Sequence, residues 1–228
     1  TAVVDPAEAQ PVLDALAKRG WTLTHILNTH HHADHTAGNL ELKERFGVPI
    51  VGPRADAARI PGIDVQVGDG DTYTVGSQTA QVFDTPGHTT GHISFWFPDS
   101  DALFPGDTLF ALGCGRMFEG QPDQMWTSLQ RLAALPEATT IYCAHEYTAA
   151  NARFALSVDD DPAVAARAQA VFDARSRGEA TVPTTIGLER QTNPFLRAPL
   201  LAPKLGVAGA PDHAAFAAVR AAKDSFKG

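Results

Sequence analysis

The sequence predicts a mixed α/β domain followed by a smaller helical one. Three observations carry that expectation. Strand-like and helix-like periodicities alternate as far as Tyr147; the 19 Gly and 16 Pro are spread along the 228 residues as turn punctuation; and beyond Tyr147 the strand signal nearly vanishes into Ala-rich segments at helical spacing. The expected boundary divides the chain into residues 1–148 and 149–228.

Residues 3–5 read as the end of a strand and residues 6–19 as a helix, with Pro6 suited to its first turn, Val12, Leu13, Leu16 and Ala17 forming one apolar stripe, and Gly20 ending it. Residues 23–29 are a second strand that runs into a histidine-rich segment. A helix at 37–46, closed by Gly47, and a strand at 48–52 follow. Between residues 65 and 84, short alternating runs broken by Gly68-Asp69-Gly70 and Val75-Gly76 predict antiparallel strands. Further strands are expected at 92–97, 102–105 and 140–144, with a helix at 122–134, and the tail carries helices at 149–156, 162–177 and 211–226.

Composition excludes several classes. The 18 Lys and Arg against 26 Asp and Glu leave a net charge of −8, an unfavourable field for nucleic acid. No apolar stretch approaches the roughly 20 residues of a membrane span. Two cysteines, Cys114 and Cys143, allow at most one disulfide, which a core of this size does not need, so a reducing, cytoplasmic location is expected. The chain opens on Thr1 and an apolar run, so upstream residues are expected to be missing and targeting signals there are illegible.

Nine histidines are present, and the strongest local signal is Thr29-His30-His31-His32-Ala33-Asp34-His35 at the carboxyl end of an expected strand. In extended backbone His30 and His32 point to one side, and the turn that follows can bring Asp34 and His35 to a neighbouring position, which suits two metal ions better than one. An affinity-tag remnant would not sit between an apolar strand and an amphipathic helix, nor include an Asp. Three more candidates lie at strand ends: His88, Asp107 and His145. Each alone is weak, since a single His is more often structural and Gly-Asp is commonly a turn. Together the set supplies five His and two Asp, donors that suit borderline divalent ions, with a carboxylate able to bridge two of them.

At this point the sequence resembles a known family. His30-x-His32-x-Asp34-His35 followed by a spaced His, Asp and His is similar to the metallo-β-lactamase superfamily. More specifically, the segments 87–92, 106–110, 113–120 and 143–148, with Asn193-Pro194-Phe195-Leu196-Arg197 and the closing 218–226, resemble the glyoxalase II or hydroxyacylglutathione hydrolase family over essentially the whole chain. The resemblance implies a four-layer αββα sandwich with a helical C-terminal domain, two divalent ions (Zn first, Fe or Mn as alternatives) and hydrolysis of S-D-lactoylglutathione to glutathione and D-lactate by a monomer. One ion would take His30, His32 and His88, the other Asp34, His35 and His145, and Asp107 would bridge them, with Asp34 and Asp107 also orienting the attacking oxygen. Arg116, Phe118, Tyr147, Arg220 and Lys223 would hold the glutathione. Family members often carry Tyr at the position of Phe118, and normally begin with a strand hairpin ahead of what is residue 1 here.

Charge arithmetic makes this chemistry sensible. Two ions bring +4 and Asp34 and Asp107 −2, and such a centre lowers the pKa of bound water to roughly 7. The leaving thiol, with a pKa of roughly 8.5, departs without a strong general acid. Arg220 and Lys223, three apart on an expected helix, share a face with each other; without the resemblance they would be read as a solvated helix face. Competing readings are a mononuclear iron persulfide dioxygenase, disfavoured by the helical tail, a metal-dependent nuclease, disfavoured by charge, and a non-catalytic metal-binding module, for which no ligand loss argues. His31 is expected to point away from the metals, His92 to support His88, Glu146 to orient His145 or a neighbour, and both cysteines to be packing residues. His25 and His213 have no expected partner.

Overall fold

The computed structural model describes residues 1–228. The first half of the chain builds a parallel sheet from β1 (Ala2–Val4), β2 (His25–Leu27), β3 (Ile50–Pro53) and β4 (Val65–Val67), which lie side by side in that order. Helices α1 (Ala9–Arg19), α2 (Ala33–Thr36) and α3 (Asn39–Phe46) make the crossovers between β1 and β2 and between β2 and β3. Gly20 and Gly47 end α1 and α3 in the left-handed region, as their place in the sequence foretells.

The second sheet contains β5 (Thr72–Val75), β6 (Gln78–Asp84), β7 (Ile93–Phe97), β8 (Ala102–Phe104), β11 (Thr140–Ile141) and β12 (Thr184–Thr185), ordered β12-β11-β8-β7-β6-β5. A small hairpin of β9 (Leu109–Phe110) and β10 (Gly113–Cys114) stands apart from it. The remaining helices are α4 (Pro122–Ala133), α5 (Thr148–Val158), α6 (Pro162–Ser176), α7 (Ile186–Thr192), α8 (Ala198–Leu201) and α9 (Asp212–Ser225). No helix is long and apolar enough to cross a membrane.

Alternation along the strands creates the layers. Ile26 and Ile50 face α1 and α3, joining Leu13, Leu16 and Leu42 in one cluster, whereas their neighbours Leu27 and Val51 face the second sheet and meet Val82, Ile93 and Phe95. On β8 the same rule sends Ala102 between the sheets and Leu103 outward, into an 18-residue cluster with Leu129 of α4, Phe195 and Phe216 of α9. The result is helix, sheet, sheet, helix, the four-layer sandwich expected.

Two expectations need correction. Residues 65–67 do not begin an antiparallel meander: β4 pairs parallel to β3 at the edge of the first sheet, and the antiparallel hairpin starts only at β5. Its alternation is the same for either pairing, so periodicity could not separate them. The helix expected at 37–46 is α3, which starts two residues later at Asn39, and a separate short helix, α2, forms before it inside the histidine-rich segment, where none was expected. The hairpin β9–β10, the strand β12 and the short helices α7 and α8 carried no readable signal. Residues beyond 148 also contribute to the sandwich, since β12 pairs antiparallel with β11.

Strand direction then positions the site. β7 is antiparallel to both β6 and β8, and β11 is parallel to β8, so β6, β8 and β11 all point the same way. Their carboxyl ends lead to His88, Asp107 and His145, and the end of β2 leads to His30. The backbone bond from Ile93 N to Thr29 O (2.9 Å) stitches the two sheets together at this rim.

Candidate metal centre

All seven candidate ligands meet at that rim. His30, His32 and His88 converge with nitrogens within hydrogen-bonding distance: His32 Nδ1 lies 3.1 Å from His30 Nε2 and 3.0 Å from His88 Nε2. Asp34, His35 and His145 form a second group, in which His145 Nε2 is 3.5 Å and His35 Nε2 is 3.8 Å from Asp34 Oδ2. Asp107 stands between them. Its Oδ2 is 3.3 Å from His88 Nε2, and its Oδ1 is 3.3 Å from His35 Nε2 and 3.4 Å from His145 Nε2.

Neighbouring groups set which nitrogen of each ring faces inward. His88 Nδ1 donates to the Arg116 carbonyl (2.7 Å), and His35 Nδ1 donates to the Asp5 carboxylate (3.0 Å), leaving both Nε2 lone pairs directed into the centre. His30 Nδ1 is paired with Thr29 Oγ1 at 3.0 Å, with the same consequence. Burial, then the surrounding imidazoles, push the pKa of His30 far down, and burial lowers that of His88, so these rings are neutral ligand forms at physiological pH. For Asp107 burial alone would raise the pKa, but the nearby imidazoles of His145, His35 and His88 outweigh it and hold the carboxylate ionised.

These residues fit divalent ions. His35 Nε2 and Asp107 Oδ1 are buried with no hydrogen-bond partner, an arrangement that is costly unless a cation satisfies both. Two imidazole-and-carboxylate groups sharing one carboxylate are a donor set for borderline divalent metals.

Local sequence explains the close approach. Gly106 has φ +49°, and a Cβ there would lie 2.3 Å from Thr29 Oγ1 and 2.6 Å from His92 Nε2, so only glycine lets Asp107 reach the rim. His92, expected to support His88, instead accepts from the Asp107 backbone N–H (3.0 Å) through Nε2, while its Nδ1 pairs with Thr85 Oγ1 (2.9 Å). It therefore supports the carboxylate between the two groups. Glu146 accepts from Thr181 and from Thr148 N and so orients its neighbours, not His145. His31 points away from the centre, toward Asp56, as expected. Sequence reasoning missed Asp5: a lone Asp at a strand end carries no signal until His35 is placed beside it.

A cavity of about 570 Å³ opens from His32, Asp34, His88, Asp107 and His145 and runs along Arg116, Phe118, Tyr147, Arg220 and Lys223. Tyr147 stacks on His145 at 5.0 Å, and the exposed Phe118 meets His88 edge-on at 5.2 Å. Arg220 is not on a solvated face. Its side chain is 7% exposed, packs over Phe195, and donates to the Cys114 carbonyl (3.2 Å) and to Asp224 (2.7 Å). Lys223 Nζ donates to the Ala150 carbonyl (3.2 Å), and burial, then the Arg220 charge, lower its pKa. Cys114 is buried at the cavity wall and Cys143 is half-buried; both are free thiols.

Comparison with known proteins agrees with this architecture. The metallo-beta-lactamase superfamily profile matches residues 1–145, and the hydroxyacylglutathione hydrolase C-terminus profile matches residues 146–226. The hydroxyacylglutathione hydrolases of Methylococcus capsulatus and Rhizobium meliloti are each 54% identical, over 100% and 99% of this chain and 90% of their own lengths. Among solved structures, ETHE1 from Myxococcus xanthus superposes with a TM-score of 0.65 at 30% identity, over 97% of this chain and 87% of its own. The di-iron-bound form of TTHA1623 superposes with a TM-score of 0.61 at 26% identity, over 84% of this chain and 87% of its own. By its whole-chain identity to these relatives, and by the two profiles that together span it, the chain belongs to the hydroxyacylglutathione hydrolase family of the metallo-β-lactamase superfamily.

Proposed function

We propose that the protein hydrolyses S-(2-hydroxyacyl)glutathione thioesters, taking S-D-lactoylglutathione to glutathione and D-lactate. The observation that carries this reading is Asp107, whose two carboxylate oxygens face two separate groups of ligand side chains on the floor of a cavity lined by Arg116, Arg220 and Lys223.

His30, His32 and His88 would hold one ion, Asp34, His35 and His145 the other, with Asp107 shared; the di-iron form of TTHA1623 supports a two-ion reading over a mononuclear one. When bound, divalent ions there supply an activated water at neutral pH and Lewis-acid stabilisation of the thioester oxygen. Zn is the first choice, with Fe or Mn as alternatives. Asp34 and Asp107 accept hydrogen bonds from the attacking water and fix its line of approach. Tyr147, stacked on His145, and Phe118, beside His88, line the cavity where the peptide of the thioester would lie. Arg116, Arg220 and Lys223 give an acidic protein a local cationic site for the tripeptide carboxylates, which makes the whole-molecule charge irrelevant at short range. The thiolate leaves without a proton donor, because its parent thiol is acidic enough.

This reading gives residues 1–148 the ions and residues 149–228 much of the glutathione site, supported by Arg220 and Lys223 both lying on α9. A reducing, cytoplasmic location, supported by two free cysteines, and a monomeric state complete it. The test is loss of thioester absorbance from S-D-lactoylglutathione with parallel elemental analysis. Turnover with about two ions per chain is expected; metal-loaded protein without thioesterase activity overturns the reading.

A further inference from the structure

A side-chain network outside the metal centre joins three loops around it. Asp56 is buried to 1% exposure, in a helical turn over Arg54–Arg59 that follows β3. Its Oδ2 accepts from His31 Nδ1 (2.8 Å), and its Oδ1 from Arg59 (2.5 Å). Arg59 continues to Glu119, with contacts of 2.5 and 3.2 Å to the two carboxylate oxygens. Glu119 in turn accepts from Thr90 through both its backbone N–H (2.8 Å) and its hydroxyl (3.0 Å).

The placement of Glu119 gives this network its consequence. It follows Phe118 and lies three residues after Arg116, in a loop whose backbone touches the centre: the Arg116 carbonyl accepts from His88, and Phe118 N donates to the His88 carbonyl (3.2 Å). Glu119 is the side chain that fastens this loop to the first-sheet side of the rim. Asp56 is the foundation, because a buried carboxylate must keep its cation, and its packing leaves no slack: a Cβ on Gly91 would lie 2.2 Å from Asp56 Oδ1.

We propose that Arg59, seated on Asp56 and gripping Glu119, is a positioning residue for substrate: it sets the loop that presents Arg116 and Phe118 to the peptide of the glutathione thioester. The proposal rests on the hydrolase reading above. Arg59 lines no part of the substrate cavity, so it reaches the peptide through the loop that Glu119 carries. Neutralising Arg59 leaves Glu119 held by Thr90 alone and removes the tie to the first-sheet side, while the ligand side chains stay in place, and displaced binding groups weaken ground-state and transition-state binding alike.

The test uses the metal-loaded full chain, Arg59→Met, Arg59→Lys and Glu119→Gln, and two substrates: S-D-lactoylglutathione and the lactoyl thioester of N-acetylcysteamine, which lacks the peptide. Arg59→Met and Glu119→Gln are expected to raise KM for the glutathione thioester about 10-fold with kcat within about 2-fold, to leave kcat/KM for the small thioester unchanged, and to keep wild-type metal content. Arg59→Lys, retaining the charge, should recover part of the loss. Unchanged KM in Glu119→Gln, or equal losses on both substrates, overturns the proposal. If Arg59→Met does not fold, Glu119→Gln and Arg59→Lys decide it alone. Wild-type protein inactive on both thioesters would instead sink the hydrolase reading.

Discussion

The Asp5 carboxylate lies 3.0 Å from His35 Nδ1, tying the end of the first strand to a histidine in α2. The same carboxylate accepts from Thr29 N (2.8 Å) and Thr29 Oγ1 (2.7 Å), so one short side chain fixes both ends of the His30–His35 segment. Asp5→Asn keeps the residue's shape and its tolerance of φ +50° but removes the charge that holds the His35 proton on Nδ1. Affinity for divalent ions should fall about 10–100-fold, measured by competition with a chelating dye. Unchanged affinity would mean that packing alone orients His35.

Chelation should abolish turnover and lower the thermal midpoint, because the apo centre keeps His35 Nε2 and Asp107 Oδ1 buried and unpartnered. Full activity should return only at two equivalents of metal. Asp107→Ala, which deletes the shared carboxylate, should lose metal and reduce kcat by roughly 10²–10³ or more. Full rate restored by one equivalent would contradict the paired site.

Arg220→Ala should do more than raise KM. A charge-assisted hydrogen bond is worth about 1.5–3 kcal/mol, which corresponds to a KM increase of roughly 10–100-fold if the guanidinium meets the substrate. The side chain also packs over Phe195 in the largest core cluster, so about 2 kcal/mol of stability should go with it. Denaturant unfolding alongside kinetics separates the two; a stability loss with no KM change removes Arg220 from the substrate site.

Burial pushes the Cys114 thiol up to about 11; burial, and then the Glu189 charge, push Cys143 up to about 12. Thiolates are therefore scarce at neutral pH, and iodoacetamide should label neither residue in folded protein on the timescale of a free cysteine. In denaturant two thiols per chain should react. Rapid labelling of Cys114 in the native state would show the cavity wall opening.

Glu119 is held at about 2, against an ordinary 4.5, first by its hydrogen bond to Arg59. A depressed carboxyl pKa stabilises the folded state above the unfolded value and loses that contribution as pH falls from about 4.5 toward 2. In this window wild type should lose stability more steeply than Glu119→Gln, as read by chemical unfolding at a series of pH values. Parallel slopes would show that the partly exposed pair is screened to insignificance.

Part of this architecture is legible in the amino-acid sequence. Leu13 and Leu16 in α1, Ile26 beside Leu27, and Gly20 and Gly47 as helix stops are local patterns, because period and cap chemistry are set within a turn or a pair of residues. The choice of parallel over antiparallel pairing for β4 is not, since alternation is blind to strand direction.

The residue types and spacing of His30, His32, Asp34 and His35 follow from the sequence by itself, as does the alternation that makes two apolar sheet faces. Tertiary structure alone decided that Asp5 orients His35, that His92 supports Asp107 and not His88, that Arg220 is buried, and that Asp56, Arg59 and Glu119 form a chain. The physical reason is range. Periodicity and capping act between neighbours along the chain, whereas desolvation and hydrogen bonding act between whatever groups the packed sheets bring together.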